Sequence, residues 1–235
     1  MEEIRAATQL PGLREEITLT TLDGQTLVGE LALPLSGKPK ATLITLHPLP
    51  THGGFMDSHL YRKAANRLPA LIDVAVLRFN TRGTQSPRGA STGSFDGGVA
   101  EEFDVEAAVR FCQERGLENL WLLGWSFGTE LAIKYGPNHQ ISGAILISPP
   151  LHRATDSDLM RWNELGKPLI ALVPGEDDYL KPQEAAERFA IVPHAKVMGF
   201  DGEKHLWVGE NATRKALDAV SEIVLPGSAP LPTHY

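Results

Sequence analysis

"LWLLGWSFGTELA" (residues 120–132) decides the reading of this chain. It is apolar up to Gly124, places Ser126 between Trp125 and Phe127, and returns to glycine at Gly128. The first half, Leu120 to Trp125, is the apolar run expected of a strand buried on both faces. The second half, "GTELAIKYG" (128–136), reads as a helix. A G-x-S-x-G between strand and helix fits a tight turn, with glycines where side chains would collide. Such a turn lifts the serine hydroxyl above the sheet edge, beside helix amides that favour a developing anion. A serine at a helix start is also an ordinary N-cap. The strand before it and the helix after it favour the nucleophile.

The flanking sequence repeats the strand-then-helix pattern. "EEITLTTL" (15–22) and "TLVGELALP" (26–34) read as a hairpin across "DGQ". "ATLITLH" (41–47), "DVAVLRF" (73–79), "ISGAILIS" (141–148), "KPLIALVPG" (167–175) and "AKVMGF" (195–200) read as further strands. Helices are expected near 57–69, over 99–116 and over 213–224, with others between the late strands. In the 99–116 helix, Val99, Phe103, Val105, Ala108, Phe111 and Cys112 recur at helical spacing. Residues 80–98 form a long polar, Gly-rich loop of the kind that is often functional. The expected fold is an α/β sheet of about eight mostly parallel strands with helices on both faces, in one domain spanning 1–235. Its core covers 14–225, and the Pro-rich tail 226–235 is expected to be frayed or extended. Only residues 149–166 separate two late strands, room for about one helix and a turn and too little for a cap domain.

Composition narrows the function. Hydrophobic residues make up 42% of the 235, enough for a packed core. The formal net charge of -7, with no basic stripe, argues against nucleic acid or an anionic membrane as partner. The single cysteine, Cys112, excludes an internal disulfide and fits a reducing compartment. The acidic start "MEEIRAATQLPGLREE" is unlike a secretory signal, and no apolar run is long enough for a membrane span. A cytoplasmic protein is expected, as monomer or homodimer. No phosphate-cradling or dinucleotide loop is present, and no cofactor is expected. His47 and His52 lack further ligands at sensible spacing, so no metal is expected either.

Ligands of such sheets bind at the carboxyl ends of the strands. A serine needs a base to take its proton, and the partners are expected in the order Ser, acid, His. Asp178 lies after "KPLIALVPG", with Asp177 and Glu176 as competitors; spacing favours Asp178. His205 lies after "AKVMGF", whereas His194 precedes that strand and falls at the wrong edge. Two backbone N–H groups would hold an oxyanion: that of Phe127, and one from the loop "HPLPTHGGFMD" (47–57). Pro48 and Pro50 cannot donate, which leaves Leu49. Trp125, Phe55, Tyr179 and Trp207, with Trp162, are candidates to line an acyl pocket or to be core. Arg78, Arg82 and Arg88 could clamp an acidic substrate, but Arg82 is expected to pair with a neighbouring loop carboxylate, and Arg78 and Arg88 to be solvated.

These residues resemble the α/β-hydrolase fold, and more narrowly small cap-less bacterial serine hydrolases. The resemblance rests on H-P-x-P…G-G-x-M (His47, Pro48, Pro50, Gly53, Gly54, Met56), on R-F-N-x-R-G (Arg78 to Gly83), and on the glycine-bounded loop beginning at Gly93. It runs from about residue 15 to 224 and departs at Leu49, where a second histidine is often found, and around 80–89. It implies a serine hydrolase with Ser126, Asp178 and His205 as triad. The expected reaction is hydrolysis of a small ester, thioester or lactone through an acyl-serine. A peptidase or amidase on the same triad, or a catalytically silent ligand-binding relative, are the alternatives.

Overall fold

The computed structural model describes residues 2–235. Its centre is an eight-stranded sheet in the order β1-β2-β4-β3-β7-β8-β9-β10. The strands are β1 (Leu13–Thr20), β2 (Thr26–Leu33), β3 (Ala41–Leu46), β4 (Val74–Phe79), β7 (Leu120–Trp125), β8 (Gly143–Ile147), β9 (Leu169–Pro174) and β10 (Lys196–Phe200). β1 and β2 form the expected hairpin, and β2 runs antiparallel to β4; the other neighbours are parallel. A two-residue hairpin, β5 (Gln85–Ser86) with β6 (Gly89–Ala90), lies inside the long polar loop and was not anticipated.

Among the described residues, six α-helices flank the sheet: α1 (His59–Ile72), α2 (Glu101–Glu114), α3 (Phe127–Tyr135), α4 (Asp156–Leu165), α5 (Pro182–Phe189) and α6 (Glu210–Val224). Alternation along the strands feeds two cores. On β7, Leu120 and Leu122 join the core beneath α2, α3 and α4, while Trp121, Leu123 and Trp125 join the one beneath α1 and α6. The central strands β3, β4, β7 and β8 are buried along their whole length. That explains why their sequences read as continuous apolar runs rather than alternations. Residues 149–166 hold α4 alone, and Leu159 and Trp162 pin it to the core rather than over the sheet edge.

Several expectations are corrected. Val99 and Phe103 are exposed: Val99 precedes α2, and Phe103 lies under the Arg82 guanidinium. The inner face of α2 instead carries two fully buried carboxylates, Glu101 and Asp104, beside Val105, Ala108 and Cys112. Asp104 receives both the backbone N–H and the guanidinium of Arg82, which also reaches Asp23 of the β1–β2 turn. Its partners are thus distant in sequence, not neighbours in the loop. Arg78 and Arg88 are not solvated. Arg78 is 1% exposed and bonds Glu30 and Asp57, and Arg88 joins both carboxylates. Such a cluster is tolerated in the interior because every charge meets an opposite one. The tail is extended but tied down: Glu3 bridges His234, and Leu231 is buried.

The tightest point is where α3 leaves β7. A Cβ on Gly128 would lie 1.8 Å from the Leu46 carbonyl oxygen, and one on Gly124 would lie 2.5 Å from that of Gly128. Both obstacles are backbone, which cannot rotate away. Gly128→Ala is therefore expected to destabilise by about 3 kcal/mol, the upper end of overpacking penalties. Urea unfolding with far-UV circular dichroism measures it, and a midpoint equal to the parent's would contradict this packing.

Candidate active site

Ser126 sits at the β7–α3 junction with φ 52° and ψ −116°. A positive φ is costly for a side-chain-bearing residue, so surrounding structure must impose it. Here the imposing contacts are the close approach at Gly124 and Gly128 and the bond from the Ser126 N–H to the Ile147 carbonyl, 2.9 Å. The side chain makes no capping bond to α3. The N-cap reading therefore fails, and the hydroxyl points to His205, with Oγ 2.9 Å from Nε2.

His205 lies after β10, 8% exposed. Its Nδ1 is 2.9 and 3.1 Å from the two oxygens of Asp177. A carboxylate accepts only, so the ring proton is on Nδ1 and Nε2 accepts from Ser126. The carboxylate on the histidine is Asp177, not Asp178. β9 ends at Pro174, one residue before the apparent end of the strand at Gly175, so the third residue after the strand is Asp177. Asp177 is 4% exposed and also accepts the Tyr179 N–H, whereas Asp178 and Glu176 are exposed.

The aromatic candidates divide. Trp125 and Trp207 are buried, at 2% and 0% exposure, and line no pocket at the site. Their indole N–H groups serve as struts: Trp125 donates to the His205 carbonyl, and Trp207 donates to Ser148 Oγ, whose hydroxyl donates to the same carbonyl. Tryptophan serves core and pocket equally, so sequence alone gave no sign of this bracing. Trp162 is core, donating to the Ile133 carbonyl. Tyr179 is exposed, with its ring edge-on to His205 at 4.6 Å between centroids. Phe55 lines a cleft of about 330 Å³ with Pro50, Gln85 and Phe95. Phe95 in turn meets the Phe127 ring at 5.3 Å.

The loop 47–57 is braced by His47. The Thr81 N–H donates to His47 Nε2 at 3.0 Å, so Nδ1 carries the proton and donates to the Pro48 carbonyl at 2.7 Å. In a trans peptide the N–H opposes the C=O, so this bond turns the Leu49 N–H away from His47. Gly54 closes the loop against the same carbonyl, leaving no room for a Cβ. Among the described residues, neither the Leu49 N–H nor the Phe127 N–H donates to a protein acceptor. His47 has both ring nitrogens engaged, and no group of three or more His, Cys, Asp or Glu is arranged to hold a metal among those residues. None of their helices is long and apolar enough to cross a membrane.

Burial lowers the His47 pKa to about 4. An unfolded histidine titrates near 6.5. The contribution of neutral His47 is therefore complete above about pH 6.5 and is lost as the pH falls toward about 4. The loss is about 3 kcal/mol over that window. In ring-carbon NMR, His47 should stay neutral at pH 5, and urea titrations should show a shallower acid loss for His47→Gln. A His47 midpoint near 6.5 would contradict the buried bracing role.

No family model matches the sequence. An uncharacterized protein of Rickettsia prowazekii is 33% identical over 114 residues, 46% of this chain and 45% of that protein. The chain thus matches less than half the length of that relative. Solved structures match across nearly the whole fold. A serine hydrolase without a lid from Xanthomonas campestris superposes with a TM-score of 0.73 at 25% identity, covering 97% of this chain and 99% of that one. A serine hydrolase homologue from Coxiella burnetii gives 0.70 at 22%, covering 90% and 95%. Est1E of Butyrivibrio proteoclasticus, solved with ferulic acid bound, gives 0.72 at 14%, covering 89% and 98%. These neighbours support a hydrolase. The eight-stranded, mostly parallel sheet agrees with them, and the chain has the α/β-hydrolase fold.

Proposed function

We propose that this chain is a serine hydrolase cleaving small esters, thioesters or lactones through an acyl-Ser126 intermediate. The observation that carries the reading is the unbroken line Asp177–His205–Ser126, each link near 3 Å, ending on a serine held at positive φ. In this reading Ser126 Oγ attacks the acyl carbon as its proton passes to His205 Nε2. The carbonyl oxygen, now negative, is met by the N–H groups of Leu49 and Phe127. The proton then moves from His205 to the departing alcohol or thiol, leaving acyl-Ser126. Water repeats the sequence, with His205 as base, and releases the acid. Asp177 holds the imidazole in the tautomer that can accept at Nε2 and stabilises its charged form.

The cleft lined by Phe55 and Phe95 is small and carries no charged side chain, which suits a short, neutral acyl or alkyl portion. Tyr179, on the outer side of His205, suits the leaving group. The substrate is a small soluble acyl compound rather than a polymer held under a lid. A peptidase or amidase would use the same groups, and turnover of matched esters and amides separates the two.

Ser126→Ala is expected to fold normally and to lose kcat/KM on chromogenic esters by on the order of 10⁶-fold, as when the nucleophile of such a triad is removed. Activity within tenfold of the parent would end the proposed mechanism. Asp177→Asn is expected to cost roughly 10⁴-fold through the wrong histidine tautomer, with Asp178→Asn near the parent. The reverse ranking, measured on the same esters, would return the acid role to Asp178.

A further inference from the structure

Arg153 differs from the other shielded arginines of the chain. Arg14, Arg67, Arg78, Arg82, Arg88 and Arg110 each meet a carboxylate, and Arg161 bonds the Lys134 carbonyl and Asn138 Oδ1. The guanidinium of half-buried Arg153 has no hydrogen-bond or ion-pair partner among the described residues. Its guanidinium carbon instead lies 5.3 Å from the centre of the Phe127 ring, the residue next to Ser126. Its aliphatic stem passes Gly98, where a Cβ would lie 3.7 Å from Arg153 Cδ.

The backbone beneath it is fixed. Buried Glu130 of α3 accepts the N–H groups of His152, Arg153 and Ala154 at 2.6, 3.1 and 2.5 Å. Both Glu130 oxygens are used on these amides, and neither forms an ion pair with the guanidinium. Leu151, just before, holds φ 50°. Next to Arg153, the His152 ring meets Tyr179 edge-on at 5.5 Å, and Tyr179 meets His205 at 4.6 Å. Arg153 is thus tied to the nucleophile side through Phe127 and to the base side through His152 and Tyr179.

We propose that Arg153 sets substrate specificity by recognising a carboxylate carried by the substrate beside its scissile acyl bond; this rests on the hydrolase reading above. A guanidinium stacked on a ring keeps its N–H edge free, and that edge matches a carboxylate bidentately. The chain as a whole is acidic, with a net charge of -7, so an anionic substrate needs a local cation at the site. The rest of the site suits the same substrate: the Phe55–Phe95 cleft takes the neutral portion, and Arg153 reads the charged end.

The test uses a matched pair, 4-acetoxybenzoate and 4-acetoxybenzamide, in two measurements on the full chain. The first is the ratio of kcat/KM for the anionic over the neutral ester in the parent, Arg153→Lys and Arg153→Gln. The expected result is a ratio that falls roughly 10- to 100-fold in Arg153→Gln, mainly through KM, and less in Arg153→Lys. The second is calorimetric binding of both intact esters to Ser126→Ala, with and without Arg153→Gln, where the benzoate should lose affinity by a similar factor. Ratios unchanged in both measurements would overturn the role of Arg153. Absence of turnover of either ester would count against the hydrolase reading, while the binding comparison would still decide Arg153. Should Arg153→Gln fail to fold, the parent ratio is read against sodium chloride: a fall with salt supports the proposal, and a flat ratio overturns it.

Discussion

The site depends on one backbone contact, that of Gly128 against the carbonyl of Leu46. With no Cβ between them, α3 approaches β3 closely enough to force the chain between β7 and α3 through a turn that no relaxed residue would adopt. The strain at Ser126 is sustained by packing on either side, not by a capping bond. Its product is geometric: a hydroxyl free of the helix, raised above the sheet and directed at the residue that follows β10. The same contact joins the two loops of the candidate oxyanion site, because Leu46 leads directly into His47, Pro48 and Leu49.

Around that turn the structure invests buried polar groups in holding loops. His47 braces the loop after β3, Glu101 takes the N–H groups of Asp96 and Gly98, and Glu130 takes those of residues 152–154. The Arg78, Glu30 and Asp57 cluster anchors the start of α1 to the sheet. Loops at strand ends are otherwise the most mobile parts of a domain. Here three of the loops at the carboxyl ends of the strands have an interior carboxylate or imidazole committed to their backbone amides or carbonyls. Beneath His205, Trp125 and Ser148 fix its backbone carbonyl. The proposed mechanism needs placement within about half an ångström, and this bracing suits that need.

Much of this was legible in the sequence, and the remainder failed for definable reasons. The fold was legible because buried parallel strands are apolar runs separated by helical segments, and the elbow because glycines flank a serine at a strand-to-helix boundary. His205 could be selected because only one histidine follows a late strand. The carboxylate that meets His205 was missed by one residue: Pro174 and Gly175 read as strand, but β9 stops at Pro174. Trp125 and Trp207 looked like pocket residues because an indole gives no hint of where its N–H goes. The buried carboxylates of α2 and the buried Arg78 were invisible to a reading based on apolar spacing, since their solvation is replaced by partners far away in the chain. Arg153 stood out only once the guanidinium of every other shielded arginine had been seen with a partner.

The most direct test of the account is covalent labelling of the folded protein with a small fluorophosphonate, followed by peptide mapping. The phosphonyl group should form one adduct, on Ser126, at a rate that falls by orders of magnitude when His205 is replaced by glutamine and the protein remains folded. A folded protein that takes up no label, labels at another residue, or labels Ser126 equally fast without His205 would contradict the claim that this turn presents an activated nucleophile.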